Sequence, residues 1–215
     1  MKKNLIFITA FLLLSPAEIL ANDDLLNCIN LADDKKYTEA LPFCQKTCDL
    51  NDGQGCGKMA YFYRYGYAVN EDHTQAITYY EKACDLNNGD CCAELGHLYK
   101  EGRAIRFRIP ENYQLSRKYS EKACDLNEAN GCRELGNIYY DGLGVRQNYK
   151  KSRTYYEKAC DLKDKHACFS AATFYHKGRG VKKNFKTAKE YFGKACDLQY
   201  QFGCDVYKEL NEKGY

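Results

Sequence analysis

Several features that would mark a metal site, a redox site or a membrane protein are scarce or missing from this sequence. Its 215 residues include only four histidines, which are scattered along the chain at His73, His97, His166 and His176. No two cysteines have the Cys-x-x-Cys spacing of thiol redox sites and many zinc sites. After residue 21, no apolar run approaches the roughly 20 residues that a membrane-spanning helix needs. The sequence therefore predicts no metal, no cofactor and no redox catalysis.

An excess of charge of one sign is missing as well. The 32 Lys and Arg residues nearly balance the 29 Asp and Glu residues, which leaves a formal net charge of +3. A chain so close to neutrality has no general attraction for nucleic acid or for anionic lipid. We therefore expect no nucleic-acid partner.

The one apolar run lies at the N-terminus. Lys2 and Lys3 precede apolar residues from Leu5 to Leu14, and Ala21 suits the last position before a cleavage site. This pattern is typical of a secretory signal peptide over residues 1–21. An uncleaved anchor helix is the alternative, but the run is short for one. The mature chain is expected to be secreted or periplasmic, without membrane insertion.

Cysteine, in contrast, is abundant and periodic. The motif Lys-Ala-Cys-Asp-Leu, or its variant Lys-Thr-Cys-Asp-Leu, places a cysteine at positions 48, 84, 124, 160 and 196, in steps of 36, 40, 36 and 36 residues. A second cysteine follows each of the five by eight positions. A period in this range is the signature of a stacked helical repeat.

Each repeat predicts two helices. In the clearest copy, Leu135, Ile138 and Tyr139 have helical spacing and form helix A. Gly142 and Gly144 then end it, because glycine readily adopts the positive φ of helix ends and tight loops. Helix B begins near the cap residue Asn148 and carries the inward-facing residues Tyr155, Tyr156 and Ala159.

The cysteine spacing predicts that one cysteine closes helix B and its mate opens the next helix A. Disulfides persist in exported proteins, and terminal repeats are usually atypical, so the first pair is expected inside an N-terminal hairpin. The predicted disulfides are Cys28–Cys44, Cys48–Cys56, Cys84–Cys92, Cys124–Cys132, Cys160–Cys168 and Cys196–Cys204. Cys91 is left over among the thirteen cysteines, as a buried free thiol, an intermolecular partner or an alternative to Cys92.

These patterns divide the chain into a signal peptide (1–21), a capping hairpin (22–50), four stapled repeats (51–204) and a closing helix (205–215). The 40-residue unit carries its four additional residues between helices A and B, from Arg103 to Asn112. Basic residues alternate there with Ile105, Phe107 and Ile109, and insertions in solenoids often mark a binding face. Arg106 and Arg108 are therefore candidate ligand-binding residues, although a tolerated surface insertion would look the same.

Helix A also predicts a binding surface. If the buried stripe lies three, four and seven positions after the opening cysteine, then positions two, five and nine point the other way. Concave faces of solenoids are lined mainly by A helices. The residues predicted to bind a ligand on this ribbon are Tyr61, His97, Asn137, Thr173, Glu101 and Asp141. An ordinary solvated helix face would show the same polar mixture.

The string Leu135-Gly136-x-x-Tyr139-x-x-Gly142-x-Gly144-Val145, followed by Tyr155-Tyr156-x-Lys158-Ala159, resembles the Sel-one-like repeat, a relative of the tetratricopeptide repeat. With its paired cysteines, the chain more narrowly resembles the Helicobacter cysteine-rich protein family. The resemblance covers residues 24–215. It implies an all-α fold, a right-handed α/α superhelix, and a penicillin-binding or weak β-lactamase activity.

The residues themselves do not point to that activity. A serine β-lactamase uses Ser-x-x-Lys, Ser-Asp-Asn and Lys-Thr-Gly elements, and none occurs in this sequence. Two hypotheses remain open at this point. The first is a monomeric binding module, or one dimerised through Cys91, that takes a peptide, a cell-wall fragment or a host protein. The second is a weak β-lactamase with unidentified catalytic residues.

Overall fold

The structure is a computed structural model that describes residues 16–101 and 111–215, with side chains from residue 22 onward. These residues form eleven α-helices. In chain order they are α1 (Pro16–Asp33), α2 (Tyr37–Asp49), α3 (Gly53–Tyr65), α4 (His73–Asp85), α5 (Gly89–Glu101), α6 (Tyr113–Asp125), α7 (Ala129–Asp141), α8 (Tyr149–Asp161), α9 (Lys165–Lys177), α10 (Phe185–Asp197) and α11 (Gln201–Glu212). Odd-numbered helices are the predicted A helices, and even-numbered helices are the predicted B helices.

Short polar residues begin the B helices. The side chains of Asp72, Asn112, Asn148 and Asn184 accept hydrogen bonds from backbone N–H groups in the first turns of α4, α6, α8 and α10. Such caps satisfy N–H groups that have no partner within the helix. The cap predicted at Asn148 is therefore confirmed.

Residues in the left-handed backbone conformation end three of the A helices at equivalent positions. Gly66, Gly142 and Gly178 adopt left-handed conformations directly after α3, α7 and α9. Two residues farther on, Gly144 and Gly180 are again left-handed, and the equivalent Ala68 has φ 60°. Alanine disfavours this region by about 1 kcal/mol or more, because its Cβ crowds the following carbonyl. The first repeat thus keeps the turn despite lacking its second glycine.

Disulfides join each B helix to the A helix that follows it. Five bridges link cysteines eight residues apart, with Cα–Cα distances between 4.4 and 4.8 Å. A sixth, Cys28–Cys44, closes the hairpin of α1 and α2. These are the same six pairs that the cysteine spacing indicates, and Cys91 is a buried free thiol.

Aromatic rings fill the space between helices A and B of each repeat. Near-parallel tyrosine pairs recur as Tyr63–Tyr79, Tyr99–Tyr119, Tyr139–Tyr155 and Tyr175–Tyr191, with ring centroids 5.4 to 5.8 Å apart. Gly136 lies where the neighbouring helix approaches, since a Cβ there would lie 2.7 Å from the Tyr156 ring.

Two pairs of successive A helices pack together more extensively than any pair of successive B helices in the described ranges. Helix α1 contacts α3, and α5 contacts α7, whereas no pair of successive B helices packs together to that extent within the described ranges. The A helices therefore line the inner side of the superhelix, as expected for a solenoid. Of the helices that the structure describes, none is long and apolar enough to cross a membrane.

Two of the predicted domain boundaries fall inside helices. The boundary after Ala21 falls inside α1, and residues 1–15 lie outside the described residues, so the signal peptide stays a prediction. The closing helix begins at Gln201, four residues before the predicted 205, because Cys204 lies within α11 and ties it to α10.

Candidate binding face

Three cavities lie in succession along the A helices, and we name them the N-terminal, central and C-terminal cavities. Their volumes are about 680, 630 and 310 Å³. Most residues at positions two, five and nine after the opening cysteine, which form the predicted ribbon, line these cavities. Asp90 and Glu94 line both the N-terminal and the central cavity, so these two adjoin.

The N-terminal cavity lies between α1, α3 and α5 and contains Tyr61. Four tyrosines cluster here, and we call Tyr37, Tyr61, Tyr65 and Tyr67 the tyrosine cluster. Tyr37 and Tyr67 stack with ring centroids 4.3 Å apart, and Tyr61 and Tyr65 approach to 4.6 Å. The side chains of Tyr61 and Tyr65 are nonetheless 39% and 45% exposed. Partial burial, followed by the neighbouring phenols, raises the pKa of Tyr61.

Charged groups that line the N-terminal cavity are paired with one another. Lys58 Nζ lies 2.6 Å from Asp33 Oδ1. Arg64 binds Glu94 and also donates to the Tyr80 hydroxyl, 3.2 Å away. Burial is the main reason that the pKa of Tyr80 rises to about 12. The free thiol of Cys91 also lines this cavity, and burial, followed by the charges of Asp90 and Glu94, raises its pKa to about 12. Cys91 is therefore a poor nucleophile.

The central cavity contains His97 and Glu101 and is richer in acids. Four carboxylates line it, from Asp90, Glu94, Glu101 and Glu134, against the two permanent cations Lys100 and Arg133. Lys100 Nζ lies 2.7 Å from Glu134 Oε1. Arg133 Nε instead points to Asp164, 2.7 Å away, which does not line the cavity.

The C-terminal cavity brings together Asn137, Asp141 and Thr173 from α7 and α9. The buried Tyr156 hydroxyl donates to Asn137 Oδ1 at 2.6 Å, and burial raises the pKa of this tyrosine. Arg179 contacts the Tyr140 hydroxyl on the same cavity wall. This part of the face thus presents amide, hydroxyl, carboxylate and guanidinium groups at close range.

Several residues that line the cavities lie outside the positions of helix A that the sequence pattern predicts. Tyr37 comes from α2, Arg179 follows the end of α9, and Arg64 stands at position eight of helix A, outside the predicted ribbon. Tyr67, in the turn after α3, does not line the cavity but stacks on Tyr37. Only the assembled repeats bring these side chains to the same cavities. Arg106 and Arg108 lie outside the described residues, so their proposed role is untested.

Three of the four serines in the described residues lie in the core. Ser116, Ser120 and Ser152 are fully buried, and Ser152 donates a hydrogen bond to the Gly136 carbonyl oxygen at 2.8 Å. Ser170 lines the C-terminal cavity. Among the described residues, no cluster of three or more His, Cys, Asp or Glu side chains could hold a metal ion.

Comparison with known protein families agrees with the repeat. The model of the Sel1 repeat matches residues 54–88, 89–128, 129–164 and 165–200, which together make up more than half of the chain. The chain belongs to the Sel1 repeat family. Each Sel1 repeat spans one helix A and one helix B, so the five disulfides from Cys48–Cys56 to Cys196–Cys204 each join segments on either side of a repeat boundary.

Solved structures show the same architecture. A Sel1 repeat protein from Oxalobacter formigenes is 25% identical with TM-score 0.76, covering 86% of this chain and 74% of its own. The protective antigen c5321 of uropathogenic Escherichia coli, with an SLR fold, is 19% identical with TM-score 0.82, covering 92% and 42%. Helicobacter pylori cysteine rich protein B is 38% identical with TM-score 0.51, covering 63% and 95%.

The chain is thus an all-α Sel1 repeat solenoid similar to a Helicobacter cysteine-rich protein, as its sequence indicated. The search of curated protein sequences found no match. The disulfides indicate an oxidising compartment, because such bonds are rare in the reducing cytosol.

Proposed function

We propose that this chain is an exported binding module that holds an extended peptide, from a protein or a peptidoglycan-like cell-wall fragment, against its A helices. The main support is the succession of three cavities lined by equivalent positions of neighbouring repeats. An extended chain meets such a surface one repeat at a time, and solenoids use it in this way. Exposed tyrosines and mixed polar groups suit a peptide, because they combine apolar contact with hydrogen bonding.

Export forms part of the same proposal. The apolar N-terminal run and the six disulfides support it together, since a leader would deliver the chain to a compartment where the disulfides persist. The residues do not favour β-lactam hydrolysis, because three of the four serines in the described residues, Ser116, Ser120 and Ser152, are fully buried.

A matched pair of threonines tests the binding face. Thr173 in the C-terminal cavity and Thr154 on the exposed side of α8 both donate their hydroxyl to the carbonyl four residues earlier. The oxidised protein is first used to select binders from a random peptide library displayed on phage. The Thr173→Arg variant is expected to weaken the selected peptides about tenfold or more by blocking the groove, and Thr154→Arg should leave affinity unchanged.

Two outcomes would contradict the proposal. One is a selection that yields no peptide with measurable affinity for the oxidised protein. The other is a set of peptides whose affinity survives Thr173→Arg, because their site would then lie away from the A helices. Circular dichroism of both variants checks that the added arginine leaves the helices intact.

A further inference from the structure

Charge is distributed unevenly along the chain, although the total is close to neutral. Residues 22–101 carry 14 Asp and Glu residues against 7 Lys and Arg residues, whereas residues 111–215 carry 14 against 20. The balance of the whole chain therefore hides an acidic N-terminal half and a basic C-terminal half. A large anionic partner would be attracted by one end of the molecule and repelled by the other.

Many of these cations lie on two turns that join helix A to helix B. We call the following residues the basic edge: Arg146, Lys150, Lys151, Lys182, Lys183 and Lys186. All six side chains are exposed. The two turns adjoin, because a Cβ at Gly180 would lie 2.8 Å from Tyr149 Cβ and 3.1 Å from the Lys150 backbone nitrogen. The six cations therefore share one side of the solenoid.

The cations of the basic edge have no carboxylate partner within the described residues. None of the six forms an ion pair there. Lys151 and Lys183 only approach aromatic rings, with Nζ 5.0 Å from the centre of Tyr139 and 5.2 Å from the centre of Phe185. The charges of the edge are therefore available to a partner.

The acids nearest to the basic edge in sequence do not neutralise it. Three acids lie between the two turns, and each is paired with a cation outside the edge: Glu157 with Arg153, Asp161 with Lys194 and Asp164 with Arg133. Asp141 and Glu190 flank the turns, and within the described residues neither forms an ion pair with the edge. Six exposed cations therefore stand against two unpaired acids.

Helix electrostatics oppose this arrangement. Lys150, Lys151 and Lys186 lie in the first turns of α8 and α10, which contain no acid. The N-terminus of a helix carries partial positive charge, so a lysine there lowers stability. In the first repeat, the same turn carries Glu71 and Asp72 instead. Residues that break a local rule without a compensating contact are expected at functional sites.

The form of the basic edge favours an extended anionic surface as its partner. Exposed side chains along turns do not enclose a small ligand, which binds in concave pockets. Five of the six cations are lysines, whose ammonium groups are point charges without the fixed bidentate geometry of arginine. Such charges suit a partner whose own charges can rearrange. The headgroups of an anionic lipid bilayer do so, and they attract polybasic segments of proteins.

From these observations we infer that the basic edge docks the molecule on the surface of an anionic lipid bilayer, without insertion. The turns of the third and fourth repeats face the headgroups, and the acidic N-terminal half points away from them. None of the six residues lines any of the three cavities, so docking leaves the A helices accessible. This second surface is independent of the peptide site proposed above.

Sedimentation with lipid vesicles tests the inference. The oxidised protein is mixed with vesicles of phosphatidylcholine alone, or with about one third of anionic phosphatidylglycerol added. We expect stronger binding to the anionic vesicles, and the difference should disappear at high salt, because salt screens attraction between exposed charges. Attraction through the apolar N-terminal run would act equally on both kinds of vesicle.

Two double variants locate the docking surface. Lys182→Gln with Lys183→Gln should weaken binding to anionic vesicles about twentyfold, at about fivefold for each lysine near the surface. Lys163→Gln with Lys165→Gln removes the same net charge from the turn between α8 and α9, at the opposite ends of the helices. This control should change binding by less than about twofold, because screening weakens distant charges.

The chain itself shows that glutamine fits these turns. Gln147 occupies in the third repeat the position of Lys183, beside the left-handed glycine that ends helix A. Gln199 has a φ of 61° at the position equivalent to Lys163, whose φ is 71°. Both double variants are therefore expected to fold, which circular dichroism checks.

Three results would overturn the inference. One is equal binding to neutral and anionic vesicles. Another is an equal loss in the two double variants, because net charge rather than the basic edge would then govern the attraction. The third is binding to soluble polyglutamate but not to anionic vesicles, with loss in Lys182→Gln with Lys183→Gln, which would assign the edge to an acidic polymer.

Discussion

The facing carboxylates of Asp90 and Glu128 show how one residue can work against stability. Glu128 directly precedes α7, and its side chain makes no capping hydrogen bond to that helix. Burial raises its pKa, and the charge of Asp90 and a hydrogen bond with that side chain raise it further. A carboxyl group with a raised folded-state pKa stabilises the fold below its unfolded-state pKa. That contribution is lost as the pH rises through the folded-state value.

Replacing Glu128 by glutamine should therefore change how stability depends on pH. We expect Glu128→Gln to gain stability relative to the native chain between pH 4 and pH 7, because the variant has no charge to repel Asp90. Thermal unfolding at both pH values measures this difference.

Glu209 offers a control of opposite sign. Its hydrogen bond and charge pairing with Lys213 lower its pKa, so its contribution is present above the unfolded-state pKa and lost in acid. Glu209→Gln should lose stability at pH 7 relative to pH 4. Identical pH profiles for the two variants would show that Asp90 and Glu128 do not interact in solution.

At the scale of the helices, each disulfide acts locally. A bridge across about nine residues is expected to contribute roughly 2.5 kcal/mol by restricting the unfolded chain. The five bridges differ in position: Cys124–Cys132 lies mid-chain between α6 and α7, and Cys196–Cys204 holds the terminal α11.

We expect the paired changes Cys124→Ala with Cys132→Ala to lower the free energy of unfolding of the whole chain by about 2 to 3 kcal/mol. The equivalent alanine changes at Cys196 and Cys204 should mainly release α11, because that helix has a neighbour on one side only. Hydrogen exchange resolves the two cases. Loss of protection across all helices in the terminal variant would contradict the view that repeats interact only with neighbours.

Most of the helical framework was predictable from the sequence because its determinants are local. Asn148 caps α8 and Gly142 follows α7, and both act within one turn of the chain. The cysteine pairs are predictable for the same reason, as they close short loops. In contrast, the tyrosine cluster combines α2, α3 and the turn after α3, so only packing brings Tyr37 to Tyr67.

The whole molecule carries 20 tyrosines and no tryptophan, which makes its phenols directly observable. Tyr191 is among those in the recurring stacked pairs, and burial is the main reason that its pKa rises to about 12, as it does for Tyr80. A tyrosine with a raised pKa stabilises the fold fully below its unfolded value near 10. This stabilisation is lost as the pH rises towards 12.

Alkaline titration should accordingly show two classes of tyrosine by tyrosinate absorbance. Tyrosines outside the buried class are expected to ionise first, and the buried class only as the helices unfold at higher pH. Tyr191→Phe should reduce the loss of stability above pH 10, whereas Tyr207→Phe, an exposed control, should not. One titration step without change in helix content would disprove the coupling.

The placement of the bridges has a mechanical consequence. If the chain is pulled from its two ends, each disulfide that joins cysteines eight positions apart prevents about 25 Å of backbone from extending. Five such bridges would shorten the fully stretched molecule by roughly 120 Å. A chain cross-linked in this way lengthens under tension in short, separate steps, and its full extension depends on whether a reductant has broken the disulfides.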